Sequence, residues 1–312
     1  MRAVRTDPAT APQLRISEVP RPEPAPHQAL VKVEAFSLNA GETRTARQAA
    51  DAYVPGWDFA GVVEEPAADG GTPPKGTRVF GFVPYGAWAE YVVAGPEMMA
   101  PIPDEVSAAE AAAMPVAGAT ALLSLEMAGT LLGRRVLVTG AAGGVGRYAC
   151  QLASLAGAEV VAISRRPALA GHLREDGVRE PVIFPTIDAA KEAGRYDVIL
   201  DGVGGHTLAT ALTILAPNGV CVTFGNGSGE PAGFDAGDFY HTPGARLEGL
   251  WLGNLIVTGA DCAPMLARLA AMVADKRLHA PIDAVLPWTR VDEAATLLHE
   301  QSVNGKIVLT VG

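Results

Sequence analysis

A glycine-rich turn between an apolar strand and a helix limits the folds open to this chain more than any other part of its sequence. The stretch reads RVLVTGAAGGVGRYACQ at 135–151, and the helix continues to the glycine that ends GVGRYACQLASLAG at 144–157. Closely spaced glycines at such a turn let the backbone approach a pyrophosphate and direct helix N–H groups towards it. A tight strand-to-helix turn that binds no ligand can have a similar sequence. Here, however, a second strand, EVVAISR at 159–165, follows the helix, which favours a dinucleotide-binding unit.

Composition narrows the class of protein further. The chain has 312 residues, 49% of them hydrophobic and 19% charged, which is sufficient for two domains with sizeable cores. Its formal net charge of -10 argues against a nucleic-acid partner. Cys150, Cys221 and Cys262 lie too far apart in sequence to indicate a disulfide framework or a zinc cluster. Without a signal-peptide core or a membrane-length apolar segment, we expect a cytoplasmic protein with no membrane partner.

The pattern of predicted strands and helices changes along the chain. The first third has short, alternating strands, read as ALVKVEAFSLN, DFAGVVEE, TRVFGFV and AWAEYVVAG, which predict a mostly antiparallel β domain. From about Glu110, helices alternate with apolar strands, among them YDVILDGVGG, GVCVTFGNG and RLEGLWLG, which predict a parallel sheet covered on both faces. The tail returns to mixed elements. We therefore predict one domain from 1–113 and 257–312, and a second from 114–256.

Two oxidoreductase families use a loop of this kind. Short-chain dehydrogenases place it near the N-terminus and add a Tyr-x-x-x-Lys pair, but here it begins at Thr139 and no Tyr has a Lys four residues later. The chain instead resembles the zinc-free quinone oxidoreductase branch of the medium-chain dehydrogenase/reductase superfamily over essentially its whole length. Besides the loop, the matching stretches are VPGWDFAGVV (54–63), YGAWAEYVV (85–93), AAAMPVAGATAL (111–122), DGVGG (201–205) and GKIVL (305–309).

This resemblance implies an α/β fold, with a doubly wound Rossmann domain beside a mostly β, GroES-like catalytic domain. It also implies a nicotinamide cofactor in a cleft between the domains. NAD-specific folds carry an acidic residue where the strand EVVAIS ends, whereas this chain has Ser164, Arg165 and Arg166. Guanidinium groups suit a 2′-phosphate, so we predict NADPH. The other cofactor residues implied are Thr120, Gly143, Gly144, Val145, Val203, Phe224, Gly225, Asn304 and Lys306, although a structural role for GKIVL is equally open.

The resemblance also bears on metal chemistry. Zinc-containing relatives bind a catalytic metal at the positions that correspond here to Asn39, Trp57 and approximately Val116, and none of these side chains is a useful zinc ligand. Without a Lewis acid, reduction of a simple ketone is difficult, because negative charge accumulates on one oxygen. A quinone or an α,β-unsaturated carbonyl delocalises that charge. We therefore expect a metal-free site and a conjugated small-molecule acceptor.

Three residues are the candidates for the chemistry. By resemblance, Asn39 would lie near the nicotinamide and the substrate oxygen. Tyr53 is the best-placed proton donor, although solvent could serve equally well. Glu42 and Arg44, in the segment NAGETRTAR, depart from the family pattern of Asn-x-x-Asp followed by Tyr, and Arg44 could favour an acceptor with a carboxylate or an acidic phenol, or could be a solvated cation.

The predicted function is a zinc-independent, NADPH-dependent quinone or enone reductase. One alternative is an enoyl or enone reductase of a secondary-metabolite pathway, and another is a non-catalytic NADPH-binding regulatory protein. Members of the family dimerise through sheet edges, so the apolar segment RLEGLWLGNLIV, interpreted as a strand, predicts a homodimer.

Overall fold

The chain divides into two compact units in the computed structural model, which describes residues 1–7, 14–166 and 168–312. The first unit comprises Met1–Ala119 and Leu252–Gly312, and the second comprises Thr120–Trp251. The sequence predicts boundaries after residues 113 and 256, whereas the structure has them after residues 119 and 251. The first of these boundaries falls inside the helix α3, Pro115–Ala128.

The first unit is mostly β. A two-stranded antiparallel sheet pairs β1 with β2, and a seven-stranded sheet has the order β14-β15-β3-β4-β5-β7, with β6 paired to β3. The strands are β1 Arg2–Thr6, β2 Leu14–Glu18, β3 Ala29–Ser37, β4 Asp58–Glu65, β5 Arg78–Phe82, β6 Tyr91–Ala94, β7 Met99–Pro101, β14 Ile282–Pro287 and β15 Lys306–Thr310. The helices are α1 Ala40–Arg47, α2 Ala108–Ala113, α9 Gly253–Thr258, α10 Ala263–Ala274 and α11 Val291–His299, with 3-10 turns at Pro96–Met98 and Trp288–Arg290.

The tail of the chain completes the large sheet of the first unit. Strand β15 pairs antiparallel with β3, so that Leu309 faces Phe36, and β14 pairs parallel with β15. The core beneath this sheet contains Trp88, which is fully buried and stacks on Phe36 with ring centroids 5.9 Å apart. Residues about 270 positions apart in sequence therefore share one hydrophobic core.

The second unit is an α/β layer structure. Its six strands form a parallel sheet in the order β10-β9-β8-β11-β12-β13. The strands are β8 Arg135–Val138, β9 Glu159–Ile163, β10 Val182–Phe184, β11 Tyr196–Asp201, β12 Leu215–Thr223 and β13 Arg246–Gly249, and the helices are α4 Gly144–Leu155, α5 Leu169–Glu175, α6 Ile187–Glu192, α7 Gly205–Thr213 and α8 Ala236–Tyr240. The strand order reverses at β8, which confirms the predicted doubly wound fold.

One predicted strand is wrong in its length. The segment RLEGLWLGNLIV is a strand only over Arg246–Gly249, and Gly253–Thr258 is a short helix that ends at Gly259 in the left-handed region. The ladder pairs Val220 with Arg246 and stops where Thr223, the last residue of β12, pairs with Gly249. The Leu250 N–H donates to the Thr223 carbonyl at 2.8 Å, and the ladder does not extend past this bond. No helix in the described part of the chain is long and apolar enough to cross a membrane.

Candidate functional site

The glycine-rich turn of the second unit has the geometry of an anion-binding helix start. Gly140 has φ +60°, and Gly143 is the N-cap of α4, where among the described residues no side chain caps the helix. A Cβ on Gly146 would lie 2.4 Å from the Gly140 carbonyl oxygen and 2.6 Å from Ala141 Cα, so only glycine allows the helix this close to the loop. The N–H groups of the first turn, which contains Gly144 and Val145, thus fit a pyrophosphate group.

Two arginines follow the neighbouring strand β9. The Ser164 N–H donates to the Phe184 carbonyl at 2.9 Å, and Ser164 Oγ accepts from the Arg166 N–H at 3.0 Å. Arg165 is exposed and Arg166 is partly buried. The hydroxyl therefore shapes a turn that carries two guanidinium groups beside the strand that leads into the glycine loop.

The loops after β11 and β12 run side by side. Backbone N–H groups of the second loop donate to carbonyls of the first, from Phe224 to Asp201 at 2.9 Å, from Gly227 to Gly202 at 3.0 Å and from Ser228 to Val203 at 2.8 Å. The Phe224 ring covers Gly202, where a Cβ would lie 2.8 Å from the ring. The structure thus brings together the predicted cofactor residues Val203, Phe224 and Gly225. Thr120 is buried in α3, and its carbonyl accepts from the Ser124 hydroxyl at 2.7 Å.

A buried polar network lies in the first unit and surrounds Lys306. The Lys306 ammonium donates to the Leu38 carbonyl at 2.9 Å, to Asn39 Oδ1 at 2.6 Å and to Asp58 Oδ2 at 3.2 Å. The side chain is 3% exposed, and these three acceptors account for its three hydrogens. Of the two roles that the sequence left open for Lys306, the geometry supports the structural one. Asn304, two residues earlier, is partly buried in the same unit.

Both polar atoms of the Asn39 side chain make hydrogen bonds within the network. Its Nδ2 donates to Glu42 Oε1 at 3.0 Å and to Asp58 Oδ2 at 2.8 Å, and its Oδ1 accepts from Lys306. Because both amide hydrogens are engaged, Asn39 has none left for a substrate oxygen in this arrangement. The geometry makes Asn39 a connecting residue of the network.

Glu42 links the start of α1 to the start of β4. Its Oε1 accepts from the Asn39 N–H at 2.7 Å in a capping box, and its Oε2 accepts from the Trp57 N–H at 2.6 Å. Burial raises the pKa of the Glu42 carboxyl to about 8, and the nearby Asp58 carboxylate adds to the rise, while Lys306 and the hydrogen bonds from Asn39 oppose it. The cost of burying a charged carboxylate, increased by the neighbouring Asp58, is therefore larger than the compensation from Lys306 and Asn39.

Sequence reasoning missed Asp58, the second carboxylate of this network. It is fully buried, and it accepts from Ser37 Oγ at 2.6 Å and from the Val116 N–H at 2.8 Å. The available signal was a charged residue directly before the apolar run FAGVV. The Asn-x-x-Glu spacing of the capping box is likewise a local signal for the start of α1.

The donor set does not fit a zinc ion. The resemblance assigns the zinc positions to Asn39, Trp57 and approximately Val116. The Asn39 side chain is occupied by the network, and Trp57 and Val116 donate backbone N–H groups to carboxylates. Within residues 1–7, 14–166 and 168–312, no group of three or more His, Cys, Asp or Glu side chains is arranged to hold a metal.

The two other candidate catalytic residues lie on or after α1. Tyr53 is partly exposed and is fixed by backbone hydrogen bonds with Thr6, at 2.9 Å from Tyr53 N to Thr6 Oγ1 and 3.0 Å from Thr6 N to the Tyr53 carbonyl. Partial burial and then the charge of Glu42 raise the pKa of the Tyr53 phenol, which keeps it protonated at neutral pH. With Thr45, Gln48 and Asp51 it lines a shallow, open depression of the first unit. Arg44 is exposed on α1.

Comparison with known proteins adds two domain matches. Residues 25–104 match the alcohol dehydrogenase GroES-like domain, and residues 144–271 match the zinc-binding dehydrogenase domain. The chain is 30% identical to a quinone oxidoreductase of Pongo abelii over 241 residues, which cover 72% of this chain and 73% of that protein. It is 35% identical over 297 residues to the spectinabilin polyketide synthase system protein NorB of Streptomyces orinoci, covering 92% of this chain and 13% of that protein.

A solved structure extends the likeness to the whole chain. The quinone oxidoreductase from Coxiella burnetii has a TM-score of 0.85 at 26% identity, with 100% of this chain and 99% of that chain covered. The similarity therefore includes both units and the order in which they occur.

The raised pKa of Glu42 predicts a pH-dependent stability. Between about pH 4.5 and about pH 8 the folded protein holds a proton that the unfolded chain has released, so this contribution is complete below the unfolded pKa and is lost as the pH rises through the folded one. The free energy of unfolding should fall across that window by at most about 1.4 kcal/mol per pH unit. Urea denaturation at a series of pH values measures this slope.

Glu42→Gln should flatten the slope, whatever its effect on absolute stability. The exposed Glu65 of the same unit provides the control, because Glu65→Gln should leave the slope as in the parent protein. Parallel curves for the parent and Glu42→Gln would show that Glu42 does not titrate in this range.

Proposed function

Because the chain belongs to the quinone oxidoreductase branch of the medium-chain dehydrogenase/reductase superfamily, we propose that it transfers hydride from NADPH to a quinone or an α,β-unsaturated carbonyl. The observation that carries this proposal is the uncapped start of α4, packed on its glycine loop, with Ser164, Arg165 and Arg166 on the adjacent strand end. The first feature suits a pyrophosphate and the second suits a 2′-phosphate.

Each part of the cofactor has its own group of residues in the second unit. Gly143, Gly144 and Val145 would hold the pyrophosphate, and the two arginines with Ser164 would hold the 2′-phosphate. Val203, Phe224, Gly225 and Thr120 would contact the nicotinamide half. The bound nicotinamide supplies the hydride, and the protein supplies position and a surrounding that excludes water.

The donor chemistry around Asn39 favours a conjugated acceptor. Trp57 and Val116 offer no metal-ligating side-chain atom, and the carboxylates nearby are committed to Lys306 and to N–H groups. A quinone or enone spreads the charge of the added hydride over its conjugated system, so a few hydrogen-bond donors are enough to stabilise it. Tyr53, protonated at neutral pH, would donate the proton, and Arg44 would attract an acceptor that carries a carboxylate or an acidic phenol.

An enoyl reductase of a secondary-metabolite pathway is the second candidate. It is favoured by the likeness to NorB, which spans almost all of this chain but a small part of that polyketide synthase system protein. The chemistry is the same, since an α,β-unsaturated thioester is also a conjugated acceptor.

Cofactor oxidation with three acceptors tests the proposed function. We expect the purified protein, with a chelator present, to oxidise NADPH with a simple quinone or a simple enone and not with a saturated ketone. Turnover of the enone or an unsaturated thioester alone would favour the enoyl reductase. Tight NADPH binding without oxidation by any acceptor would contradict catalysis and indicate a regulatory NADPH-binding protein.

The two arginines after β9 should set the preference for NADPH. We expect Arg165→Ala with Arg166→Ala to weaken NADPH binding at least about tenfold, since each charge-assisted hydrogen bond contributes on the order of 1.5–3 kcal/mol, and to leave NADH nearly unchanged. Isothermal titration with both cofactors measures this. Arg174→Ala, an exposed arginine on α5, is the matched control. Equal losses for the two cofactors would place the phosphate site elsewhere.

The free edge of β13 supports a homodimer. Among the described strands, β13 pairs with β12 alone, and Leu247 and Trp251 are 38% and 69% exposed. Two copies could pair these edges antiparallel across a two-fold axis. Light scattering at micromolar concentration should give twice the chain mass of 32.2 kDa, and Leu247→Lys should shift it to the monomer. A monomer mass for the parent protein would overturn this expectation.

A further inference from the structure

Asp201 ends β11 at the point where the strand order of the second unit reverses. It is fully buried, and its nearest polar neighbour is Thr139, the residue directly after β8. Strands β8 and β11 are adjacent, with β9 and β10 on one side and β12 and β13 on the other. In open parallel sheets the crevice beyond the carboxyl ends of such a pair is where ligands bind.

The Asp201 carboxylate and the Thr139 hydroxyl together hold one turn. Asp201 Oδ1 accepts from Thr139 Oγ1 at 2.7 Å and from the Val203 N–H at 3.4 Å, and Oδ2 accepts from the Gly204 N–H at 3.0 Å. Thr139 Oγ1 accepts in turn from the Gly202 N–H at 3.2 Å. Three successive backbone N–H groups are thus directed at two side chains.

The turn at 202–204 has a backbone conformation and close contacts that these hydrogen bonds stabilise. Gly204 has φ +74° and ψ -159°, a conformation open only to glycine, and a Cβ there would lie 2.4 Å from Asn226 Oδ1. The same turn places the Val203 side chain beside Gly140 of the glycine loop, with Val203 Cγ2 3.5 Å from the position that a Cβ on Gly140 would occupy. It also places Gly202 beneath the Phe224 ring. The carboxylate therefore connects the loops after β8, β11 and β12.

A carboxylate at the fully buried position 201 costs desolvation free energy, so its presence calls for a compensating role. Burial raises the pKa of the Asp201 carboxyl, and hydrogen bonds from Thr139 and from the turn act against that rise. An apolar side chain would fill the same space beneath the sheet edge without the desolvation of a carboxylate, but it could not orient three N–H groups.

We infer that Asp201, with Thr139, is the positioning residue for the nicotinamide half of the cofactor. This inference rests on the proposed function. The carboxylate sets the surface formed by Val203, Phe224 and Gly225, and it does so without touching the adenosine half, whose residues Ser164–Arg166 follow β9.

Two probes separate positioning from general stability. NADPH contains both halves of the cofactor, whereas 2′,5′-ADP contains only the adenosine half with its 2′-phosphate. We expect Asp201→Ala and Thr139→Val to weaken NADPH about tenfold or more by isothermal titration, while 2′,5′-ADP binding changes by less than about twofold. Thr139→Ser, which keeps the hydroxyl, should restore NADPH binding.

The matched control removes another buried carboxylate of the same unit. Asp176 accepts two hydrogen bonds from Arg147 at 2.6 Å and 2.8 Å, at the end of α5. Asp176→Asn should lower stability without changing the ratio of the two affinities.

The outcomes are distinguishable. If Asp201→Ala and Thr139→Val weaken both probes equally, or leave NADPH binding unchanged, the inference is overturned and the proposed function stands. If the parent protein binds neither probe, the proposed function itself fails, and the inference with it. If Asp201→Ala does not fold, Thr139→Val alone decides, since it removes one hydroxyl and keeps the side-chain volume.

Discussion

The close approach of α4 to its own glycine loop is the constraint from which the rest of the second unit follows. Gly146 lies so near the Gly140 carbonyl that any side chain there would displace the helix. This approach leaves the first-turn N–H groups of α4 pointing out of the carboxyl edge of the sheet. In the proposed function, this contact would place the pyrophosphate, and the arginines after β9 and the loops after β11 and β12 would bind the two ends of the same cofactor.

The first unit depends on a different kind of constraint, a buried cation. Lys306 is surrounded by oxygen atoms from Leu38, Asn39 and Asp58, and breaking up such a group by removing one partner leaves buried charge without compensation. Glu42 adds a second carboxylate, which ties Trp57 to the start of α1. In the segment NAGETRTAR, which departs from the family pattern, the side chains of Asn39 and Glu42 thus both have hydrogen-bonding partners in the network.

Much of this molecule was readable in its sequence because periodicity and glycine spacing are local signals. The alternating strands, the apolar parallel strands and the glycine loop each depend on neighbours within a few residues. The polar network was not readable in this way, because Lys306 and Asp58 are 248 positions apart and meet only when β15 joins the sheet that contains β3 and β4. The length of β13 depended likewise on where β12 ends.

Separation in sequence also explains why local motifs did not reveal the hydrogen-bonding partners of Asn39 and Asp201. The resemblance implies a position for Asn39 near the substrate oxygen, but the motif does not reveal that Glu42, Asp58 and Lys306 engage both amide hydrogens and the amide oxygen of its side chain. Asp201 was visible within DGVGG, but the motif alone does not reveal that its carboxylate faces Thr139 across two strands. Pairings between residues distant in sequence are decided by topology, so a local motif does not reveal them.

The position of β15 near the end of the sequence has a consequence for folding during synthesis. The second unit is one continuous segment, Thr120–Trp251, and has all its strands once residue 251 has left the ribosome. The first unit begins earlier, but it lacks the strand that joins β3 to β14, and its buried ammonium group, until Lys306–Thr310 emerges. Until that moment Asp58 and Glu42 are two carboxylates with no cation between them. The unit whose synthesis begins first is therefore the unit whose last strand is synthesised last.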